Sequence, residues 1–241
     1  MASRSRGAPM VADDPLPQGD AKVRAVRGMF DAIAPRYDVV NRLMTFGLDR
    51  SWRRAAVASL TLGPGDRVVD VACGTGDLCR ELAGAGYVPI GIDLSSGMLH
   101  HARTTAPLVH GDALAMPFDA TSLDGAVSGF ALRNFVALDG LFVELARVVR
   151  PGGRIALLDV SQPTNPLLRA GHRVWFEQAV PRIGAALSDP AAYRYLPRSV
   201  AYLPPAATLV AQLRAAGWTA VERRVLSGGI TQLFTATRRS A

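Results

Sequence analysis

The sequence predicts an α/β fold in which helices cover both faces of a doubly wound, mostly parallel sheet of seven strands. Three observations predict it. Short valine-rich apolar runs alternate four times with amphipathic stretches, at spacings of about 20 to 30 residues. The first such run, Arg67–Ala72, leads into Gly74-Thr75-Gly76, a tight turn that opens a helix. The chain closes on two further extended segments separated by Ser227-Gly228-Gly229, the pattern of a hairpin.

The elements follow in order. Residues 1–20 carry Arg4, Arg6, Asp13, Asp14 and three prolines with no apolar core, and are expected to form a flexible tail rather than a secretory signal. From Lys22 to Leu60, Val23, Val26, Phe30, Ile33, Val39, Val40 and Leu43 recur at helical steps, broken by Pro35 and Gly47. Strands are predicted at Arg67–Ala72, Tyr87–Asp93, Leu108–His110, Leu123–Phe130 and Arg154–Val160. Helices are predicted at Asp77–Ala83, Ser95–Thr104 (N-capped by Ser95 or Ser96) and Leu138–Val149, the last ended by Pro151-Gly152-Gly153. Residues 161–205 break the rhythm with five prolines (163, 166, 181, 190 and 197) and with Trp175, Phe176, Tyr193, Tyr195 and Tyr202, and read as a lid or substrate platform. A helix at Thr208–Ala216 and strands at Val221–Leu226 and Ile230–Thr237 complete one domain over residues 21–241.

Composition narrows the function. With 49% apolar residues the chain can bury a sizeable core. Two cysteines, Cys73 and Cys79, exclude a disulfide scaffold, and four scattered histidines offer no metal-ligand spacing, so no metal is expected. No apolar run is long enough to span a bilayer, which makes the cytoplasm the default compartment. The net charge is +7, but 26 arginines and Lys22 are spread along the chain rather than clustered, so nucleic acid is not the expected partner.

Chemistry concentrates at the glycine turn. Glycine there lets the backbone bend sharply and lets a ligand touch the main chain. The dinucleotide fingerprint asks for a third glycine, and that position holds Cys79. Asp93 ends the second strand, where a carboxylate can accept from both hydroxyls of a ribose. Gly111-Asp112-Ala113 follows the third strand, where Asp112 can meet an adenine amino group.

In this order, the glycine loop and the two acidic strand ends resemble the class I S-adenosylmethionine (SAM) methyltransferases. The resemblance implies SAM as cofactor, with Asp70, Gly74, Thr75, Gly76, Asp93, Asp112 and Ala113 around it. Asp70 anchors either the loop amides or the methionine end of the cofactor. Further stretches narrow the resemblance to the menaquinone/ubiquinone biosynthesis C-methyltransferases (UbiE/MenG type). They are Phe30-Asp31-Ala32-Ile33-Ala34-Pro35-Arg36-Tyr37-Asp38 with Asn41, Gly47-Leu48 and Trp52-Arg53, then Phe130-Ala131-Leu132-Arg133-Asn134, then Ala192-Tyr193-Arg194-Tyr195-Leu196 with Ser199. The sequence departs from the family pattern at Asp159 and Val160, which stand for a usual glutamate and phenylalanine, at Ala131 for a glycine, at Phe234 for a histidine, and in the residues following Ser161.

The resemblance implies C-methylation of a prenylated quinol, demethylmenaquinol to menaquinol. The alternative is another small phenolic, polyketide or amine acceptor. A quinol carbon becomes nucleophilic once a ring hydroxyl loses its proton, so the site needs a donor or cation for the phenolate. Arg133 is expected to support that charge and Asn134 to orient the ring or a water; the alternative for Arg133 is an ion pair with Asp38 or Glu144. Tyr37, Asp38 and Asn41 share a helix face and are expected to close over the site, with Phe30, Ile33 and Leu43 in the core. The aromatic residues of 161–205 are candidates for a prenyl path. Arg169, Arg173, Arg182, Arg194 and Arg198 are candidates for peripheral contact with the inner face of a membrane. Homo-oligomerisation is compatible with this reading. Cys73 and Cys79 are expected to be small packing residues.

Overall fold

A computed structural model describes residues 17–175, 178, 182, 195 and 198–240. The expected tail up to residue 16 lies outside these residues. So do Phe176, Pro181, Pro190, Tyr193, Arg194 and Pro197 of the 161–205 stretch.

Seven strands form one sheet in the order β3-β2-β1-β4-β5-β7-β6. They are β1 (Arg67–Val71), β2 (Val88–Asp93), β3 (Leu108–His110), β4 (Leu123–Gly129), β5 (Val149–Val160), β6 (Trp218–Leu226) and β7 (Thr231–Arg238). All neighbouring pairs are parallel except those made by β7, which runs antiparallel to β5 and β6. The chain steps outward from β1 to β2 and β3, then crosses back to β4. The carboxyl ends of β1 and β4 therefore flank a crevice, where open sheets of this kind take ligands.

Side-chain alternation sorts the core into two layers. Val69, Val71, Ile155, Leu157 and Phe234 point to one face, under α6 (Leu138–Val148) and α8 (Ala206–Ala215). Val68, Val127, Ala156, Leu158 and Leu233 point to the other, under α3 (Leu48–Ala58) and α4 (Asp77–Gly84). Both faces are covered, which is why the central strands read as unbroken apolar runs.

Ahead of the sheet lie α1 (Gly19–Ile33) and α2 (Tyr37–Met44), broken where Pro35 and Gly47 predict. The first helix starts at Gly19, inside the expected tail. Lys22 secures it: its ammonium donates to the Phe135 carbonyl at 2.8 Å and sits 3.9 Å from the centre of the Tyr202 ring. Burial lowers the Lys22 pKa to about 8.

Strand β6 begins at Trp218 rather than Val221, and two further boundaries differ from expectation. The strand after α6 begins at Val149 and runs through Pro151-Gly152-Gly153, which form a bulge rather than a stop. Gly152 has a φ of +76°, and a Cβ on Gly153 would lie 2.5 Å from the Asp124 carbonyl, so both glycines let the strand re-enter its register. Helix α5 is only Ser96–His100, because the chain after it turns so that the Arg103 amide donates to the Thr75 carbonyl at 3.0 Å. Ser95 is its N-cap, accepting from the Met98 amide. A second cap comes from α1: Asp31 Oδ1 accepts from the Ser95 hydroxyl at 2.6 Å and the Gly97 amide at 2.9 Å.

Candidate active site

The crevice holds a cavity of about 360 Å³. Its floor is the glycine loop, its sides are Asp93 to Met98 and Asp112 to Leu114, and its roof is α1, which contributes Val23, Val26 and Phe30. The far wall is Gly129-Phe130-Ala131 with Asn134.

The loop is built by positive φ angles at Ala72, Gly74 and Gly76. At Gly76 φ is +80° and a Cβ would meet the Thr104 methyl at 2.7 Å, so no other residue fits that turn. Asp93 organises the loop. Its Oδ2 accepts from the Gly74 amide and its Oδ1 from the Ser95 amide, each at 2.8 Å. Burial still outweighs these two bonds and raises the Asp93 pKa. Each oxygen keeps a lone pair for a ligand hydroxyl.

Asp70 does not bind the loop amides; the Gly74 amide belongs to Asp93. Instead Asp70 is 1% exposed, its Oδ2 accepts from the Cys79 thiol at 3.4 Å, and its Oδ1 has no partner within the protein. Desolvation pushes its pKa to about 7. A buried, unpaired carboxylate oxygen at a cavity wall is suited to a ligand cation, such as the α-ammonium of an amino acid. Binding such a cation is expected to weaken as the pH falls through about 7, because the protonated carboxyl no longer attracts it. Calorimetry of SAM binding between pH 8.5 and 5.5 measures this, and Asp70→Asn should flatten the profile. A wild-type profile as flat as the variant's would show that Asp70 does not meet the ammonium.

Asp112 is exposed at the cavity rim, where it accepts from the Leu114 amide at 2.9 Å and so shapes the turn that presents Ala113. Thr75 donates its hydroxyl to Asp38 at 2.5 Å, tying α2 to the glycine loop. Tyr37 lines the cavity beside Phe30, and burial raises its phenol pKa against the pull of Arg53 and Arg133. Asp38 and Asn41 do not line the cavity. Of the apolar residues expected in the core, only Ile33 is there; Phe30 lines the cavity and Leu43 is 46% exposed.

Arg133 sits behind the far wall, in the short helical turn Leu132–Asn134. It is 7% exposed and pairs with Asp159, not with Asp38 or Glu144. Its Nη1 donates to Asp159 Oδ1 at 2.5 Å and to the Phe130 carbonyl at 2.7 Å, and its Nε donates to the Ser199 hydroxyl at 3.1 Å. Glu144 is taken by Arg147. The guanidinium thus holds the turn between Phe130 and Asn134. Phe130 itself has a φ of +61°, a strained conformation for a bulky residue that points its ring against Trp52 and into the cavity wall. Asn134 lines the cavity and accepts from the Tyr195 hydroxyl through Oδ1 at 3.2 Å.

The other aromatic residues expected along a prenyl path have different partners. Trp175 donates to the Met44 carbonyl, and Tyr202 donates to the Pro17 carbonyl and carries Lys22 on its ring. Cys73 and Cys79 are buried thiols beneath the loop, both with raised pKa values.

Arg53 is the functional residue that spacing alone does not single out. It lines the cavity and bridges Asp49 and Asp77 at 2.6 Å each, locking α3 to the start of α4. The Asp49–Arg53 spacing marks an ion pair on one helix face, but nothing local points to Asp77. Among the described residues, no group of three or more His, Cys, Asp or Glu is placed to hold a metal ion.

Comparison with known proteins agrees with this geometry. Residues 18–238 match the model of the ubiE/COQ5 methyltransferase family. A ubiquinone/menaquinone biosynthesis C-methyltransferase of Syntrophotalea carbinolica is 40% identical over 221 residues, covering 88% of this chain and 93% of that protein. A demethylmenaquinone methyltransferase of Roseiflexus castenholzii is 42% identical over 234 residues, covering 93% and 98%. Among solved structures, a SAM-dependent methyltransferase of Thermotoga maritima superposes with a TM-score of 0.64 at 16% identity, covering 88% of this chain and 99% of that one. A phosphoethanolamine N-methyltransferase of Haemonchus contortus in complex with SAM gives a TM-score of 0.59 at 15% identity, covering 79% and 53%. With the family match spanning nearly every described residue around a cavity of this construction, the chain belongs to the ubiE/COQ5 methyltransferase family.

Proposed function

We propose that this protein is a SAM-dependent C-methyltransferase of quinone biosynthesis that converts demethylmenaquinol, a prenylated quinol, to menaquinol. The observation that carries the reading is the cavity itself, where Asp70, Asp93 and Asp112 sit around the glycine loop and Val23, Val26, Phe30 and Phe130 give an apolar surface beyond them. Relatives of 40% identity or more across most of the chain, two of them named above, support the reaction class.

The residues fit the cofactor. Asp93 offers lone pairs for the ribose hydroxyls, Asp112 and Ala113 border the place of the adenine, and the orphaned Asp70 oxygen suits the methionine ammonium. When bound, SAM supplies a methyl group activated by a positively charged sulfonium. The rest is positioning. Nucleophile, methyl and sulfur must lie in a row, and holding them so lowers the barrier by several kcal/mol.

Asn134 is placed to act on the acceptor. The Tyr195 phenol, its pKa raised by burial, stays protonated and donates to Asn134 Oδ1. That leaves the amide hydrogens of Asn134 for a quinol oxygen as it becomes a phenolate. With SAM bound, the ring carbon would take the methyl group from the sulfonium, the hydroxyl proton and then the ring proton leaving to water. Arg133 is a positioning residue, since its donors hold the Phe130–Asn134 turn and its charge acts at a distance. Tyr37 closes the cavity against water, while Asp38 acts through the glycine loop that it ties to α2. We read residues 161–205 as the lid on the acceptor side, because Tyr195 and Ser199 reach Asn134 and Arg133 from it. No described helix is long and apolar enough to cross a membrane, so a bilayer-dissolved acceptor is met at the membrane surface.

The test is a transfer assay with methyl-labelled SAM and a short-chain demethylmenaquinol. The oxidised quinone and a simple catechol serve as controls. Label in the reduced quinol alone is the expected result. SAM binding without transfer to any quinol would move the acceptor to another small phenolic, polyketide or amine.

A further inference from the structure

Helix α7 (Pro166–Val174) leaves every residue exposed except His172, which is half-buried. Nine residues are too few to hold a helix in water on hydrogen bonds alone, so an amphipathic helix of this length needs a surface for its apolar side. At about 100° per residue, Leu167, Gly171 and Val174 share one stripe with Leu168 and Trp175 at its edge, and Arg169, His172 and Arg173 lie opposite. Leu167 is 86% exposed, and Leu168 and Val174 are each 52% exposed.

The apolar surface continues beyond this helix. The Trp175 ring packs on Phe46 with centroids 4.5 Å apart, and its indole donates to the Met44 carbonyl at 3.0 Å. These contacts join α7 to the corner between α2 and α3. There Phe46 is 69% exposed and holds a φ of +52°, and Val39, Leu43 and Leu48 are exposed beside it. A large apolar side chain kept outward on strained backbone is a feature that water alone gives no reason to keep.

Charge decides what covers this surface. Of the arginines here, Arg42 and Arg173 are exposed, while Arg169 donates to the Pro163 and Thr164 carbonyls. Residues 160–176 contain no acidic residue, and the one acid of α2, Asp38, is turned to Thr75. A two-fold contact with a second copy would set arginine against arginine. An anionic bilayer pairs its headgroups with the arginines and takes the leucines into its acyl boundary.

We propose that α7 and the α2–α3 corner form the surface by which this protein docks on an anionic lipid bilayer. The inference rests on the reading of the acceptor as a prenylated quinol, which is dissolved there. Helix α2 links the two places, with Tyr37 at the cavity and Val39 and Leu43 at the docking face.

Cosedimentation of the full chain with lipid vesicles tests this. The vesicles are phosphatidylcholine with or without phosphatidylglycerol. The wild type should bind only the anionic vesicles and release them in high salt. Leu167→Asp with Val174→Asp should lower partitioning at least about tenfold, and Arg173→Glu about fivefold. Both variants should bind SAM and melt as the wild type does. A wild type that ignores anionic vesicles, or variants that bind them equally well, would overturn the proposal. A wild-type dimer that the double variant turns into a monomer would overturn it in favour of a second copy. Vesicle binding is read without any acceptor, so a failed transfer assay and a failed docking surface stay distinguishable.

Discussion

Replacing Asp159 with alanine is expected to cost the folded chain about 3–5 kcal/mol, because it leaves the buried Arg133 guanidinium without its counter-ion. Asp159 is fully buried and takes three donors: the Arg133 side chain, the Arg133 amide and the Val160 amide. For a chain of this size the melting temperature should fall by about 10 °C. Removing both charges, Arg133→Met with Asp159→Leu, should restore much of that stability, since an apolar pair of similar volume needs no desolvation. Turnover should not return with it. Arg133 also donates to the Phe130 carbonyl and so fixes the turn that carries Asn134. The double variant should therefore bind SAM nearly as the wild type does and show a reduced kcat. An Asp159→Ala protein that melts with the wild type would refute the ion pair. A double variant with full kcat would refute the positioning role.

Asp93→Ala should weaken SAM binding by about a hundredfold or more. Two buried amides, of Gly74 and Ser95, lose a charged acceptor, and each such bond is worth about 1.5–3 kcal/mol. The loss would fall on the loop and on the proposed ribose contacts together, and so exceed that of a simple contact residue. Asp93→Asn retains one acceptor oxygen and should fall between the two. Titration calorimetry with SAM gives these affinities. Affinity within a few-fold of wild type for Asp93→Ala would place the ribose elsewhere in the cavity.

Where an element's cause was local, the sequence alone located it. A short apolar run with three valines marked β1, Ser95 was one of two candidate caps for α5, and Pro35 and Gly47 divided the N-terminal helices. The glycine loop and the carboxylates after β1, β2 and β3 were legible for the same reason. A backbone that must take positive φ at Gly74 and Gly76 restricts its own residue types, and a strand end points at the crevice whatever surrounds it. Sequence therefore determined the sheet, the glycine loop and the family.

The acceptor side was decided only by the tertiary structure. Arg133 read as a support for the phenolate or as a partner of Asp38 or Glu144, yet Asp159, 26 residues away, claims it. Arg53 read as part of a helix, yet Asp77 on another helix draws it to the cavity. Lys22 read only as the start of a helical stretch, yet Phe135 and Tyr202 bury it. Phe30 read as core and forms the roof of the cavity. In each case the partner is remote along the chain. Periodicity and capping report what a residue does to its own neighbours. They carry no record of which distant carboxylate or carbonyl the fold brings within 3 Å, and that choice is what turns a charged side chain from a ligand into a support.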